Sequence, residues 1–155
     1  MRQVLWAFVA CILCCAPMTK AQSLSGLARI DASKSYVQDH NWRQVEIQLT
    51  ISQSVPYRIY QLNNPMRLIV EFNEVVFDGL NGKNFDQSKR VSSVEFGSLG
   101  TGWSRLAMEL TEPLGLKTAE MIHDQQAGNS VLTIWTGPVT AVSYTHLTLP
   151  TNREV

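Results

Sequence analysis

One run of residues recurs at a fixed distance: Trp42, Val45, Ile47, Leu49 and Thr50 return as Trp103, Leu106, Met108, Leu110 and Thr111, sixty-one positions later. Within each copy the apolar residues fall on every second position, which is the period of a half-buried β-strand and not of a helix. Each copy continues into a second candidate strand, 55–60 in the first and 114–119 in the second, and closes on a third, 67–72 or 130–135. An open solenoid needs at least about three stacked units to bury its faces, and only two copies exist here. Two β-units that close on each other meet the same need. The duplication therefore predicts an all-β sandwich of two related sheets, built from a duplicated unit of three to four strands.

Between these landmarks the punctuation is regular. Residues 27–31 form a short candidate strand, and 33–41 are a polar stretch with turn-forming Ser, Asp and Asn. From Val45 the sequence Val-Glu-Ile-Gln-Leu-Thr-Ile puts Val45, Ile47, Leu49 and Ile51 on one face. Asn63-Asn64-Pro65 predicts a turn, because Asn tolerates turn geometry and the residue before Pro is pushed out of the helical region. Residues 78–83 read as a loop, 86–90 as the place for one short helix, and 91–96 as an alternating strand. Residues 97–102, with three glycines, read as a flexible connector into Trp103. These glycines lack the Gly-Lys-Ser/Thr that opens a helix in a phosphate loop. Pro113 suits the entrance of an edge strand, where its missing N–H does no harm.

Residues 1–21 have the layout of a secretory signal: a weakly positive start at Met1-Arg2-Gln3, thirteen mostly apolar residues over 4–16, a break at Pro17, and Ala21 as the expected cleavage position. A membrane span takes roughly twenty apolar residues, so export with removal is expected, and no stable membrane insertion afterwards. Cys11, Cys14 and Cys15 all lie in this segment and leave with it, so the mature domain is expected to hold no disulfide and no thiolate metal site. None combines a preceding small residue with the right position for lipid attachment. Over residues 22–142, ten Lys and Arg minus twelve Asp and Glu leave a net charge of −2, which provides no basic field for nucleic acid. About 120 residues make one ordinary domain, able to bury roughly two-thirds of its unfolded surface.

The block Val55-Pro56-Tyr57-Arg58-Ile59-Tyr60-Gln61-Leu62-Asn63-Asn64-Pro65-Met66-Arg67-Leu68-Ile69-Val70-Glu71-Phe72 resembles the AMIN domain: a strand, then Asn/Asp-Pro-x-Arg, then a hydrophobic strand ending near an acidic residue. Residues 103–116 are similar to the family's second half, and the likeness runs over 27–135. The resemblance implies a β-sandwich that binds peptidoglycan in the periplasm, ahead of the catalytic domain of N-acetylmuramoyl-L-alanine amidases or within outer-membrane secretins. In an amidase it implies targeting to the division septum, with divisome or secretin proteins as further partners. Glu71 stands where the family usually carries Asp, and Ser130-Val131 where its second half carries Arg-Leu. The expected division is signal 1–21, AMIN-like sandwich 22–136, start of a linker 137–142 and a non-native tail 143–155. That tail resembles a translated sequencing-adapter read-through, which implies a truncated gene whose catalytic domain lies beyond.

A zinc amidase needs two histidines and a glutamate on the metal and a second glutamate as base. His40, His123 and His146 show no paired spacing, so no cofactor is expected in this chain, and zinc only in the missing catalytic domain. Glu71, Glu109 and Glu112 lie in or beside strands, where pairing can bring two carboxylates together for glycoside cleavage. Solvated acids on an outer face are the plainer reading, and the chain is expected to be non-catalytic. Trp42, Trp103 and Trp135 either pack in the core, cap a strand edge or stack on sugar rings. Tyr57 and Tyr60 have opposite parity, so at most one enters the core. Arg58, Arg67, Arg105 and Lys117 either pair with strand carboxylates such as Glu46 or Glu109, or grip ligand carboxylates through parallel hydrogen bonds. The predicted ligand-binding residues are Arg58, Tyr60 and Arg67, the last because it occupies the arginine of the family motif.

Overall fold

The computed structural model describes residues 27–100 and 102–139. The signal segment 1–21 and the tail 143–155, with His146, lie outside the described residues. The elements in order are β1 (Ala28–Arg29), β2 (Tyr36–His40), β3 (Gln44–Ile51), β4 (Tyr57–Leu62), β5 (Arg67–Asn73), β6 (Val75–Val76), α1 (Gly82–Phe85), β7 (Val91–Gly100), β8 (Trp103–Leu110), β9 (Leu114–Asp124) and β10 (Asn129–Pro138). Two four-stranded antiparallel sheets, ordered β2-β3-β10-β9 and β4-β5-β8-β7, form the two layers, and β1 pairs with β6 in a small parallel ribbon. This is the expected all-β sandwich.

The duplicated units are β2–β5 and β7–β10, and they interlock. Written from the other edge, the second sheet reads β7-β8-β5-β4, which is the first sheet with each strand replaced by its counterpart in the other copy. Each sheet thus takes two strands from one copy and two from the other, and neither copy closes a sheet alone. The reason is in the central pairs: Ile47 lies opposite Ile134 and Leu49 opposite Leu132 in the first sheet, while Leu68 lies opposite Met108 and Val70 opposite Leu106 in the second. All eight are buried and face the other layer. Burying an aliphatic side chain of this size contributes roughly 1.5–3 kcal/mol, so the interleaved core is what holds the copies together.

Several expectations are corrected. Residues 36–40, read as part of a polar turn, form β2. It is an edge strand in which Val37 alone is fully buried, and its polar side chains pair with β3, Gln38 with Glu46 and Tyr36 with Gln48. The short helix falls at Gly82–Phe85 and not at 86–90, because Asn81 caps it by accepting from the Lys83 N–H, while Asp86 turns the chain by accepting from the Ser88 N–H. The glycine-bearing connector is largely strand: β7 runs through Gly100 before turning into β8. Likewise β9 continues to Asp124, and the second polar turn shrinks accordingly.

One end of the sandwich is fastened by charge. Glu112, in the turn between β8 and β9, pairs with Arg43 and Arg90, each at 2.7 Å, and Arg90 also reaches Asp39 at 3.0 Å. Asp39 in turn accepts from the Ser88 hydroxyl. Beside it the β2–β3 turn holds both Trp42 and Arg43 at φ 56°, a left-handed backbone that side chains with a Cβ adopt at a cost. Trp42 is 86% exposed, so this tryptophan is neither core nor a strand-edge cap.

Candidate functional site

Alternation along β4 sends Tyr57 and Ile59 toward the core and Arg58 and Tyr60 to the outer face of the second sheet. Of the two tyrosines it is therefore Tyr60 that is available, and Tyr57 packs against the core. Strand pairing then builds a row across that face. Arg58 lies opposite Glu71, Glu71 opposite Arg105, and Arg105 opposite Gly97. Two positions along, on the same face, Asn73 lies opposite Trp103.

Glu71 is the hub. Its Oε2 meets Arg58 Nε at 2.7 Å, and its Oε1 accepts from Tyr60 Oη at 2.8 Å and from Arg105 Nε at 3.0 Å and Nη2. Arg105 Nη2 also donates to Tyr60 Oη at 3.1 Å. The arginines do pair with a strand carboxylate, but it is Glu71 and neither Glu46 nor Glu109. Burial pushes the Glu71 carboxyl up, yet hydrogen bonds from Arg105 and Tyr60 and the charges of both arginines outweigh it and hold the group below its ordinary value. Burial and the bond to Glu71 raise Tyr60, and the bond to Glu71 raises Arg105. Two cations against one anion leave the row at +1, on a face where Arg58 is 57% and Arg105 38% exposed.

The Arg58 guanidinium also lies 4.3 Å from the centroid of the Trp103 ring, in a cation–π contact that fixes both groups. Trp103 is at the same time part of the wall of a cleft of about 370 Å3, shared with Leu27, Val76, Phe77, Phe96 and Ser104. The Ser104 hydroxyl is buried, without a hydrogen-bond partner among the described residues.

Of the predicted binding residues, the structure brings Arg58 and Tyr60 together and leaves Arg67 apart. Arg67 sits opposite Leu62 and Glu109, two rows away, with its Nε buried and unpartnered among the described residues. Arg105, Trp103 and Glu71 join the cluster in its place; only strand pairing reveals that they share one patch. Chemically, the arrangement is a net-cationic row built round one ionised carboxylate. Glu71 is locked as a carboxylate, and Glu109 lies opposite Arg67, four residues along β5 from Glu71, roughly 13 Å away at the rise of a strand, beyond the separation that glycoside cleavage uses. Glu112 is tied to Arg43 and Arg90.

The AMIN domain model matches residues 36–132, well over half of the 155 residues. The chain belongs to the AMIN domain family. Among curated proteins, none matches it. The AMIN domain is a non-catalytic module that binds peptidoglycan or associates with wall machinery in amidases and secretins, and it occurs in extracytoplasmic proteins.

The two halves of this AMIN domain do not carry equivalent sites. On the first sheet, the place beside Gln44 and Lys117 is taken by Gly137, and His40 stands edge-on to Trp135 at 5.0 Å, with no buried carboxylate between cations. Lys117 is accordingly exposed and outside the charged row. Among the described residues no group of three His, Cys, Asp or Glu is placed to hold a metal, and His40 and His123 are exposed in separate parts of the first sheet. No described helix is long and apolar enough to cross a membrane.

Proposed function

We propose that this domain binds peptidoglycan through the outer face of the second sheet and targets an N-acetylmuramoyl-L-alanine amidase to the division septum in the periplasm. The observation that supports this most is the Arg58 guanidinium stacked on Trp103 and anchored to Glu71. It presents a rigid, cationic and aromatic surface, already desolvated in part, to a polymer that carries both sugar rings and carboxylates. Arg58, Trp103, Arg105 and Tyr60 are the contacting residues in this reading. Zinc and bond cleavage belong to a catalytic domain on the same polypeptide.

Co-sedimentation of the purified protein with insoluble cell wall tests the binding, and Arg58→Ala and Trp103→Ala are expected to leave the protein in the supernatant. Retention of both variants in the pellet at wild-type levels argues against this face. A secretin assembly role is the second reading, favoured by four edge strands, β2, β9, β4 and β7, that end the two sheets. Sequencing the gene from genomic DNA separates the two: a His/Glu metal set on the same polypeptide identifies an amidase, and a barrel-forming region a secretin.

A further inference from the structure

The outer face of the first sheet is built from different chemistry. Val37, Ile47, Leu132 and Ile134 turn inward, so alternation sends Gln38, Glu46, Trp135 and Thr118 outward in one cross-strand row and Tyr36, Gln48, Thr133 and Glu120 in the next. A hydrogen-bond network crosses these rows. The Gln38 amide donates to Glu46 at 2.9 Å, the Tyr36 hydroxyl donates to Gln48 at 3.1 Å, and the Gln48 amide donates to the Lys34 carbonyl at 3.1 Å. Each of these amides and hydroxyls has more hydrogen-bonding positions than the network uses. Beside it the Trp135 ring is half-buried and braced by His40, 5.0 Å away with the two rings perpendicular.

The two outer faces also differ in charge at corresponding places in the two copies. Arg105 on the second sheet meets the Glu71 carboxylate, whereas Gln44, sixty-one positions earlier, lies against Gly137, and the Lys117 stem crosses the same glycine. The first sheet therefore lacks the ionic hub. Two carboxylates, Glu46 and Glu120, against one ammonium, Lys117, leave its face at −1, with no guanidinium to draw in a ligand carboxylate. Amides, hydroxyls and an aromatic ring instead match a neutral polymer with apolar ring faces and many hydroxyls, each of which needs a polar partner when desolvated. Three inter-strand spacings make the face roughly 14 Å across, which is room for a short run of linked rings. We infer that the first sheet carries a second binding site, for the neutral N-acetylated glycan strand. Trp135 stacks on a sugar ring, and Gln38, Gln48 and Tyr36 pair with the acetamido groups and hydroxyls. The choice of polymer rests on the peptidoglycan reading, but the site does not depend on Arg58 or Trp103. With sugar on one face and carboxylates on the other, the domain grips the wall at two points, and both together hold more tightly than either alone.

The test follows the tryptophan indole N–H signals of the purified protein by NMR during titration with chitotetraose or with cellotetraose, which lacks the acetamido groups. Chitotetraose is expected to shift the Trp135 signal and leave that of Trp103 in place. Its affinity is expected to change by less than about twofold from about 0.05 to about 0.5 M salt, because no ion pair forms. Cellotetraose is expected to bind about tenfold more weakly. Trp135→Ala is expected to weaken chitotetraose about tenfold, and Gln48→Ala to weaken it while the Trp135 signal remains as a check on the fold. Silence of Trp135 towards chitotetraose, a response at Trp103 in its place, or an affinity that collapses with salt each overturns this inference. If the protein still sediments with cell wall in those cases, the reading of the second sheet stands. If it fails to sediment while chitotetraose still moves Trp135, that reading falls and the first-sheet site remains.

Discussion

Replacing Glu71 with glutamine separates what the hub does for stability from what it does for binding. The carboxylate accepts from Tyr60, from two nitrogens of Arg105 and, at its other oxygen, from Arg58. Glutamine keeps one acceptor oxygen and turns an N–H₂ toward a guanidinium N–H on the other side. A hydrogen bond to a charged group contributes roughly 1.5–3 kcal/mol net. Arg58 and Arg105 are 57% and 38% exposed, so water recovers part of the loss. The expected cost is about 2 kcal/mol, or a Tm lower by roughly 8 °C for a domain of this size. Because the native carboxyl titrates below its ordinary value of 4.5, the stability it supplies is fully present above that pH and is lost as pH falls through the lowered native value. Urea denaturation of wild type and Glu71→Gln at pH 7 and in strong acid reads this directly: a gap near 2 kcal/mol that closes as acid protonates Glu71. Meanwhile the row's charge rises from +1 to +2, so wall binding at low salt is expected to hold or strengthen. A gap under about 0.5 kcal/mol at pH 7, or one that persists in acid, refutes the hub as described.

Three further outcomes follow from particular side chains. Ser104→Ala removes a buried hydroxyl that has no partner among the described residues and is expected to stabilise the fold by about 1 kcal/mol in chemical denaturation. Trp42→Asn is expected to raise stability by roughly 0.5–1 kcal/mol, since Trp42 is held at φ 56° with its ring in solvent and Asn tolerates that backbone; a lower Tm would mean the exposed ring packs on something. Ile47→Ala and Met108→Ala occupy counterpart positions in the two copies, both essentially without solvent exposure, and each is expected to cost about 2–5 kcal/mol. A large difference between the two would show that the sheets are not energetically equivalent.

How much of the site was legible depended on whether a feature was local. That at most one of Tyr57 and Tyr60 turns inward follows from parity along one strand, though which of them does is a matter of the fold, and the turn at Asn64-Pro65, with Asn64 at φ 62°, follows from residue chemistry. Arg67 carried a motif, yet the motif marks the start of β5 and says nothing of what its guanidinium meets. Glu71 looked like one of several strand acids. Its role depends on Arg58 thirteen positions before it and Arg105 thirty-four after it arriving on either side, and no periodicity connects those residues. The edge strand β2 reads as a polar loop in sequence because Tyr36 and Gln38 on its outer face are polar and find their partners, Gln48 and Glu46, on β3.

The sequence by itself determined that this protein is made of strands, which residues of the clearest strands turn inward, and that one pattern was used twice. Those are consequences of a two-residue period and of side-chain transfer from water, both properties of short segments. Only the tertiary structure decided that the two copies exchange strands, so that β3 pairs with β10 and β5 with β8, and it is this exchange that sets Arg58, Glu71, Arg105 and Trp103 on one face. Backbone hydrogen bonds are alike between any two strands; the choice of partner comes from the packing of the whole core, which no short stretch of chain contains.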